Sequence, residues 1–310
     1  MDTERPSPRF ADIDLWEPAD ILEAMIGGQF AAVAAVRAAL PAIERAALAM
    51  EPRLRLEGRI IYAGAGTSGR LAVQDGAELM PTFAWPRERL LLLIAGGDDA
   101  MIRAVEGAED EAEQAAARIQ KHRPQAADTI VAVAASGTTP FTVACVREAK
   151  RCGALTIGIA NNRDTPLLQD ADHPIFLDTG AEPIAGSTRM NAGTAQRIAL
   201  TLLSSLLMIR LGRVYRGLMV EVQATNAKLG NRKKRMLCYL TGQDENIVEG
   251  ALHEAGGDLK LAAMLLRGCD LPTAEALVRR AGGNLRTAIE LADRLEPTAK
   301  AGETKRPGFS

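Results

Sequence analysis

The chain has 310 residues, of which 47% are apolar, enough for one large domain or one domain with a small appendage. A formal net charge of −2 without a long basic block sets nucleic-acid binding aside; the longest cationic run, Arg232-Lys233-Lys234-Arg235, reads as a solvated helix face. Four cysteines (Cys145, Cys152, Cys238, Cys269) without a CxxC pair, and three histidines (His122, His173, His253) far apart, give no support for a metal site, and the natural compartment is a reducing cytoplasm.

Residues 1–16 are polar and Pro-bearing and read as a loose arm with no signal segment. Residues 18–50 repeat apolar positions at helical spacing and read as two helices, with Pro41 in the first turn of the second. A strand follows at 59–63 and breaks into Gly64-Ala65-Gly66-Thr67-Ser68-Gly69-Arg70. Further apolar runs occupy 90–95, 129–135, 154–160 and 174–177, each ending in Gly, Ser, Thr, Asn or Asp. Helical patterns lie between them, notably at 100–121 and 141–151. Strands alternating with amphipathic helices predict an α/β fold with a doubly wound, parallel, five-stranded sheet. Such sheets bind ligands at the carboxyl ends of their strands, where the hydroxyl-rich loops fall.

Residues 186–212 then combine Gly186-Ser187-Thr188-Arg189 with a long apolar helix, whose most apolar part, 198–209, is shorter than the ~20 residues that span a membrane. Another helix is predicted over 217–240. Beyond Gly242 the motif Ala-Gly-Gly-(Asp/Asn)-Leu recurs around Asp258 and Asn284, 26 residues apart. Gly-Gly ends one helix and Asp258 or Asn284 caps the next. The predicted division is therefore an N-terminal arm and helices over 1–50, a sheet domain over 51–241 and about three small helices over 242–295. A disordered tail is expected over 296–310.

Three loops carry the chemistry. The first, with Gly66, Thr67 and Ser68, sets two hydroxyls and a helix N-terminus against an anion, and Arg70 adds a cation. It also fits the dinucleotide pattern GxGxxG, but polar Thr67-Ser68 fill the variable positions and no acidic residue stands ~20 residues on, so a sugar phosphate is favoured and no cofactor is expected. The second, Ser136-Gly137-Thr138-Thr139, opens another helix with three hydroxyls, and the third contains Ser187 and Arg189. Ser and Thr are also ordinary helix caps; two such loops on one sheet edge strengthen the ligand reading. Among carboxylates, Glu78 is followed by Leu79-Met80-Pro81-Thr82-Phe83, and Glu109 lies in Glu106-Gly107-Ala108-Glu109-Asp110. Two carboxylates with unlike surroundings can run acid and base chemistry at neutral pH.

AGAGTSGR at 63–70, DGAELMPTF at 75–83, AVEGAED at 104–110, AASGTTP at 134–140 and GSTRMNAGTAQR at 186–197 together resemble the N-acetylmuramic acid 6-phosphate etherase family, from about residue 12 to about 292. The resemblance implies the sugar isomerase (SIS), flavodoxin-like fold. It also implies cleavage of a D-lactyl ether to N-acetylglucosamine 6-phosphate and D-lactate, in bacterial recycling of cell-wall sugar. It puts the acid catalyst on Glu78 and the other catalytic glutamate on Glu109. Phosphate hydroxyls fall on Ser136, Thr138 and Thr139, and Thr67 and Ser68 face the sugar. Thr138 stands where the family more usually has arginine, and Asn191 where it usually has lysine. A sugar-phosphate isomerase and a non-catalytic sugar-phosphate sensor on the same fold are the competing readings. Helices around 189–211 are more apolar than one sheet can cover, so a homodimer with each site completed by the partner is expected. The expected ligand is a small sugar phosphate, with no membrane partner.

Overall fold

The computed structural model describes residues 1–221 and 227–295; the tail expected to be disordered lies outside the described residues. The chain divides into two compact units, Met1–Leu211 and a second beginning at Gly212.

The first unit is a three-layer α/β/α sandwich. Strands β1 (Ile60–Gly64), β2 (Leu90–Ile94), β3 (Thr129–Val133), β4 (Leu155–Ala160) and β5 (His173–Phe176) form one sheet in the order β2-β1-β3-β4-β5. All four pairings are parallel, with Ile60 opposite both Leu90 and Thr129. β1, β3 and β4 are buried along their whole length, because helices cover both faces. Tyr62, Val131, Val133, Ile157, Ile159 and Ile175 point to one core, shared with helices α1 (Pro18–Arg55), α2 (Gly66–Phe83) and α6 (Asn191–Arg210). Ile61, Ala63, Ile130 and Ala132 point to the other, shared with α3 (Ala112–His122), α4 (Pro140–Arg151) and α5 (Pro166–Asp170).

Several elements differ from the sequence reading. The two helices expected over 18–50 are one continuous helix, α1, with Pro41 and Pro52 inside it. Proline removes one backbone bond and costs ~3 kcal/mol in a helix interior. Here a single apolar stripe runs through it, with Ala32, Val36, Ala39, Ile43, Ala46, Ala47 and Met50 all in the core, and burial of that stripe keeps the axis unbroken. The helix pattern at 100–121 yields only α3, because Gly96, Gly97 and Gly107 adopt left-handed backbone and leave short 3₁₀ turns at Asp98–Met101 and Ala108–Asp110. The arm is not loose: it forms 3₁₀ turns at Asp2–Glu4, Pro8–Phe10 and Ile13–Leu15, and Thr3 is fully buried. α1 and α6 are both long and apolar enough to cross a membrane by length and composition, although their inner faces belong to the sheet core.

Asp128, at the foot of β3, holds the sheet's lower edge. Its carboxylate accepts from the Arg59 backbone N–H (2.8 Å), the Arg59 guanidinium (2.7 Å) and the Gln125 N–H (2.8 Å). Burial pushes its pKa up, but the Arg59 and Gln125 hydrogen bonds outweigh that and hold it below the usual carboxylate value. A lowered carboxyl contributes stability that is complete at neutral pH and is lost as pH falls through the ordinary and then the folded pKa. Asp128→Asn is expected to lose about 3 kcal/mol at neutral pH, read as a drop in urea midpoint, with the gap to the parent closing below about pH 4.

The second unit starts with a hairpin, β6 (Val214–Tyr215) and β7 (Leu218–Met219), turned by Arg216 and Gly217 in left-handed backbone. Then come α7 (Ala227–Thr241), α8 (Glu245–Glu254), α9 (Leu259–Leu265), α10 (Leu271–Arg280) and α11 (Leu285–Leu295). Residues 218–219 of the helix expected from 217 are instead strand β7, the described part of that helix is 227–241, the described residues after 242 hold four helices rather than three, and α7 packs with them around Leu237, Val248, Met264 and Leu277. The repeat behaves as its sequence suggests. Asp258 accepts from the N–H groups of Lys260 and Leu261 at 2.8 and 2.9 Å, and Asn284 accepts from Thr287 N–H at 3.1 Å.

Candidate active site

In a doubly wound sheet the loops diverge where the strand order reverses. Here that point lies between β1 and β3, because β2 lies outside β1 while β4 and β5 lie beyond β3. A cavity of about 420 Å³ opens there, lined by Gly66, Thr67 and Ser68 after β1, Ser136, Thr138 and Thr139 after β3, Glu109 and Asp110 after β2, Thr188 before α6, and Glu4.

The first loop is shaped by close approach. A Cβ on Gly64 would lie 2.8 Å from Gly69 Cα, and one on Gly69 would lie 2.7 Å from the Gly64 carbonyl carbon. The first turn of α2 therefore rests directly on the end of β1, which the GxGxxG spacing requires and larger residues forbid. In the second loop Ser136 Oγ and Thr139 Oγ1 lie 3.2 Å apart, and the Thr138 N–H donates to Ser136 Oγ at 3.2 Å. Gly137 does not line the cavity; it has left-handed backbone, a Cβ there would overlap the Thr165 hydroxyl, and its carbonyl accepts from Leu167 N–H at 3.0 Å. Neither α2 nor α4 has a side-chain cap, so two helix N-termini meet one hydroxyl-rich cavity. The α6 N-terminus is used internally: buried Glu182 accepts from the N–H groups of Asn191 (2.8 Å) and Ala192 (2.9 Å). Burial raises the Glu182 pKa, against the pull of those two bonds.

Of the sequence candidates, Gly66, Thr67, Ser68, Glu109, Ser136, Thr138 and Thr139 come together in the cavity. Ser187 and Arg189 do not line it; Thr188 between them does, and Arg189 is exposed. Arg70 is a brace and not a cradle cation, since its guanidinium donates to the carbonyls of Ala100 (2.7 Å) and Arg103 (3.3 Å). No residue lining the cavity is Lys, Arg or His. Asn191 is buried, accepts from Gln29 Nε2 at 3.2 Å and faces Gly28 of α1, so its side chain serves helix packing.

Glu78 is the largest departure. It stands on α2 twelve residues after Gly66, about 18 Å along the helix from the cavity. It is exposed, so Leu79 and Phe83 do not enclose it as the sequence suggested. The rotation of α2 is fixed one turn earlier. Buried Asp75 accepts from Tyr62 Oη at 2.8 Å and Ser204 Oγ at 3.2 Å. Burial pushes the Asp75 pKa up, opposed by those two hydroxyls. Glu78, three residues on, lies close enough for its charge to add to the rise in the Asp75 pKa, and it and Met80 are exposed.

Sequence reasoning missed Glu4, and did not select Asp110 or Thr188 from the motifs that contain them. Thr188 and Asp110 adjoin residues already singled out; Glu4 carried no local signal, because only the fold brings the arm to the cavity. A second hollow, about 510 Å³ between α3 and α4, is lined by alanines and by charges already paired, Arg147 with Asp170 and Arg151 with Glu148. Among the described residues no group of three His, Cys, Asp or Glu is placed to hold a metal ion.

Parallel strand order, flanking helices and hydroxyl loops at the reversal point define a sugar-phosphate-type α/β fold, and residues 110–206 match the SIS domain, while residues 43–150 match the glucokinase regulatory protein N-terminal SIS domain. The chain is a SIS-fold protein. It is 47% identical over 288 residues to the N-acetylmuramic acid 6-phosphate etherase of Deinococcus radiodurans, covering 93% of this chain and 94% of that protein. It is 45% identical over 293 residues to the enzyme of the same name from Streptomyces coelicolor, covering 94% of each. The chain belongs to the N-acetylmuramic acid 6-phosphate etherase family. Among solved structures, a phosphoheptose isomerase from Francisella tularensis is 21% identical with a TM-score of 0.49, covering 63% of this chain and 100% of that one.

Proposed function

We infer that this chain is a carbon–oxygen lyase that cleaves the D-lactyl ether of N-acetylmuramic acid 6-phosphate, giving N-acetylglucosamine 6-phosphate and D-lactate. The observation that carries the reading is the cavity at the β1/β3 reversal, hydroxyl-lined with Glu109 at its rim, in a chain that matches etherases along nearly its whole length. The phosphate sits on Ser136, Thr138 and Thr139 and the α4 N-terminus, and Thr67 and Ser68 take sugar oxygens.

An unactivated ether is a poor electrophile, so lactate leaves by elimination. Ring opening gives a C1 aldehyde, which acidifies the C2 proton. Glu109 removes that proton, the C2–H electron pair forms the C2–C3 double bond through the enolate, and the C3–O bond breaks with protonation of the lactate oxygen by Glu78. Water then adds at C3 and a proton returns to C2. Backbone and hydroxyl donors at the first loop stabilise the enolate oxygen.

Glu78 stands too far from its own cavity for this role, and the outer face of the helical layer that contains α2 offers a solution. α1 leaves Leu22, Ile26, Phe30, Val33 and Leu40 exposed, with Phe30 at 70%, and Met80 on α2 and Ile209 on α6 are also exposed. A contiguous apolar stripe of this kind marks an interface. The working form is a homodimer whose second copy covers this surface, with Glu78 completing the partner's cavity. The compartment is the cytoplasm, where sugar phosphates of cell-wall recycling are consumed.

Incubating the chain with N-acetylmuramic acid 6-phosphate in H₂¹⁸O tests this. D-lactate together with ¹⁸O at C3 of the sugar product is the expected result. Tight binding of the sugar phosphate with no lactate would favour the sensor alternative.

A further inference from the structure

The arm expected to be loose is built into the wall of the cavity. Thr3 is fully buried; two loops bond it directly, and a third is tied to it through Asn162. Its N–H donates to Asn162 Oδ1 at 3.4 Å, and its hydroxyl accepts from Asn162 Nδ2 at 2.9 Å. The same Nδ2 group donates to the Ala135 carbonyl at 2.9 Å, in the loop after β3. The Thr3 carbonyl accepts from Gly186 N–H at 2.9 Å, in the loop before α6. These loops also supply Ser136 and Thr188 to the cavity.

The next residue, Glu4, lines the cavity itself. Its carboxylate forms no ion pair among the described residues, and its Oε2 lies 2.9 Å from where a Cβ on Gly186 would stand. Gly186 has a φ of +76°, so its backbone conformation disfavours any residue with a side chain there. A negative, acceptor-only group on the arm thus lines the same cavity as the donors Ser136, Thr138, Thr139 and the α4 N-terminus, together with the carboxylates of Glu109 and Asp110.

We propose that the arm is part of the substrate site, with Glu4 accepting a hydrogen bond from a hydroxyl or amide N–H of the sugar and Thr3 positioning Glu4. The carboxylate repels phosphate from its own edge and attracts sugar donors, so a sugar phosphate enters in one orientation only. Glu4 is a binding residue in this reading, and Thr3 acts through it. The proposal rests on the sugar-phosphate ligand of the preceding section, not on turnover.

The test is equilibrium titration of the full chain with inorganic phosphate and with N-acetylglucosamine 6-phosphate, on the parent, Glu4→Gln and Thr3→Val. Glu4→Gln keeps shape and removes charge at an exposed side chain. Its two affinities are expected to move in opposite directions: inorganic phosphate at least about fivefold tighter, because a like charge has gone, and the sugar phosphate about tenfold weaker, because a charge-assisted bond has gone. Thr3→Val, which frees the arm, is expected to reproduce both signs. Glucose 6-phosphate in place of the acetamido sugar separates the donors: equal weakening by Glu4→Gln assigns a hydroxyl, and weakening confined to the acetamido sugar assigns the amide N–H. Shifts of both ligands in the same direction, or shifts below twofold, overturn the proposal. Because binding is read without turnover, a parent chain that binds the sugar phosphate but releases no lactate overturns the etherase reading and leaves this test intact.

Discussion

Glu109→Gln is expected to lower D-lactate release by ~10²–10⁴-fold and to stop exchange of the substrate's C2 proton with solvent. The two readouts together isolate the first chemical step. Exchange needs only the open-chain aldehyde and a base, so it reports proton removal whether or not the ether breaks. Glu109 occupies the turn Ala108–Asp110, between the left-handed Gly107 and α3, with Ala108 packed into the core. Its side chain is exposed into the cavity, so the amide leaves packing unchanged, and the expected change in stability is within about 0.5 kcal/mol. Exchange at the parental rate would sink this assignment, and Asp110, which lines the same cavity, would be the next base to test.

The sheet was legible because five apolar runs ended in five loop signals, and a parallel sheet must bury both faces of its strands. The hydroxyl lining of the cavity was legible for the same reason: Thr67, Ser68, Ser136, Thr138 and Thr139 all follow strands, and the fold places every such loop on one edge. Local pattern failed where long-range packing decides. Pro41 reads as a boundary until the stripe from Ala32 to Met50 is seen to face one continuous core. Arg70 reads as a cation for an anion until the carbonyls of Ala100 and Arg103 take its donors. Thr3 and Glu4 have no periodicity to betray them; their role is set by Asn162 and Gly186, more than 150 residues away. Glu78 shows the same limit from the other side. Its motif names a catalytic residue, but the straight run of α2 carries it about 18 Å from the cavity it was expected to serve.

That separation yields the sharpest expected result. Glu78→Gln alone is expected to cut lactate release ~10²–10⁴-fold while retaining some C2 proton exchange, since the acid acts on the leaving oxygen and not on C2. Mixing it with Glu109→Gln then distinguishes one-chain from two-chain sites. If Glu78 serves the partner's cavity, a mixed dimer contains one intact site, made of Glu109 from the Glu78→Gln chain and Glu78 from the Glu109→Gln chain. Its other site lacks both groups. Random reassociation of equal amounts makes half the dimers mixed, so activity recovers to about a quarter of the parent's from two nearly inactive proteins. If both glutamates act within one chain, every site in the mixture lacks one of them and nothing recovers. Misfolding cannot mimic the positive outcome, because two damaged chains do not restore turnover unless each supplies what the other has lost. Phe30→Glu, on the exposed face of α1, supplies the geometric control. If that face is the proposed dimer interface, a charge buried there is expected to shift the chain to monomer and, with Glu109 untouched, to remove lactate release through loss of the partner's Glu78.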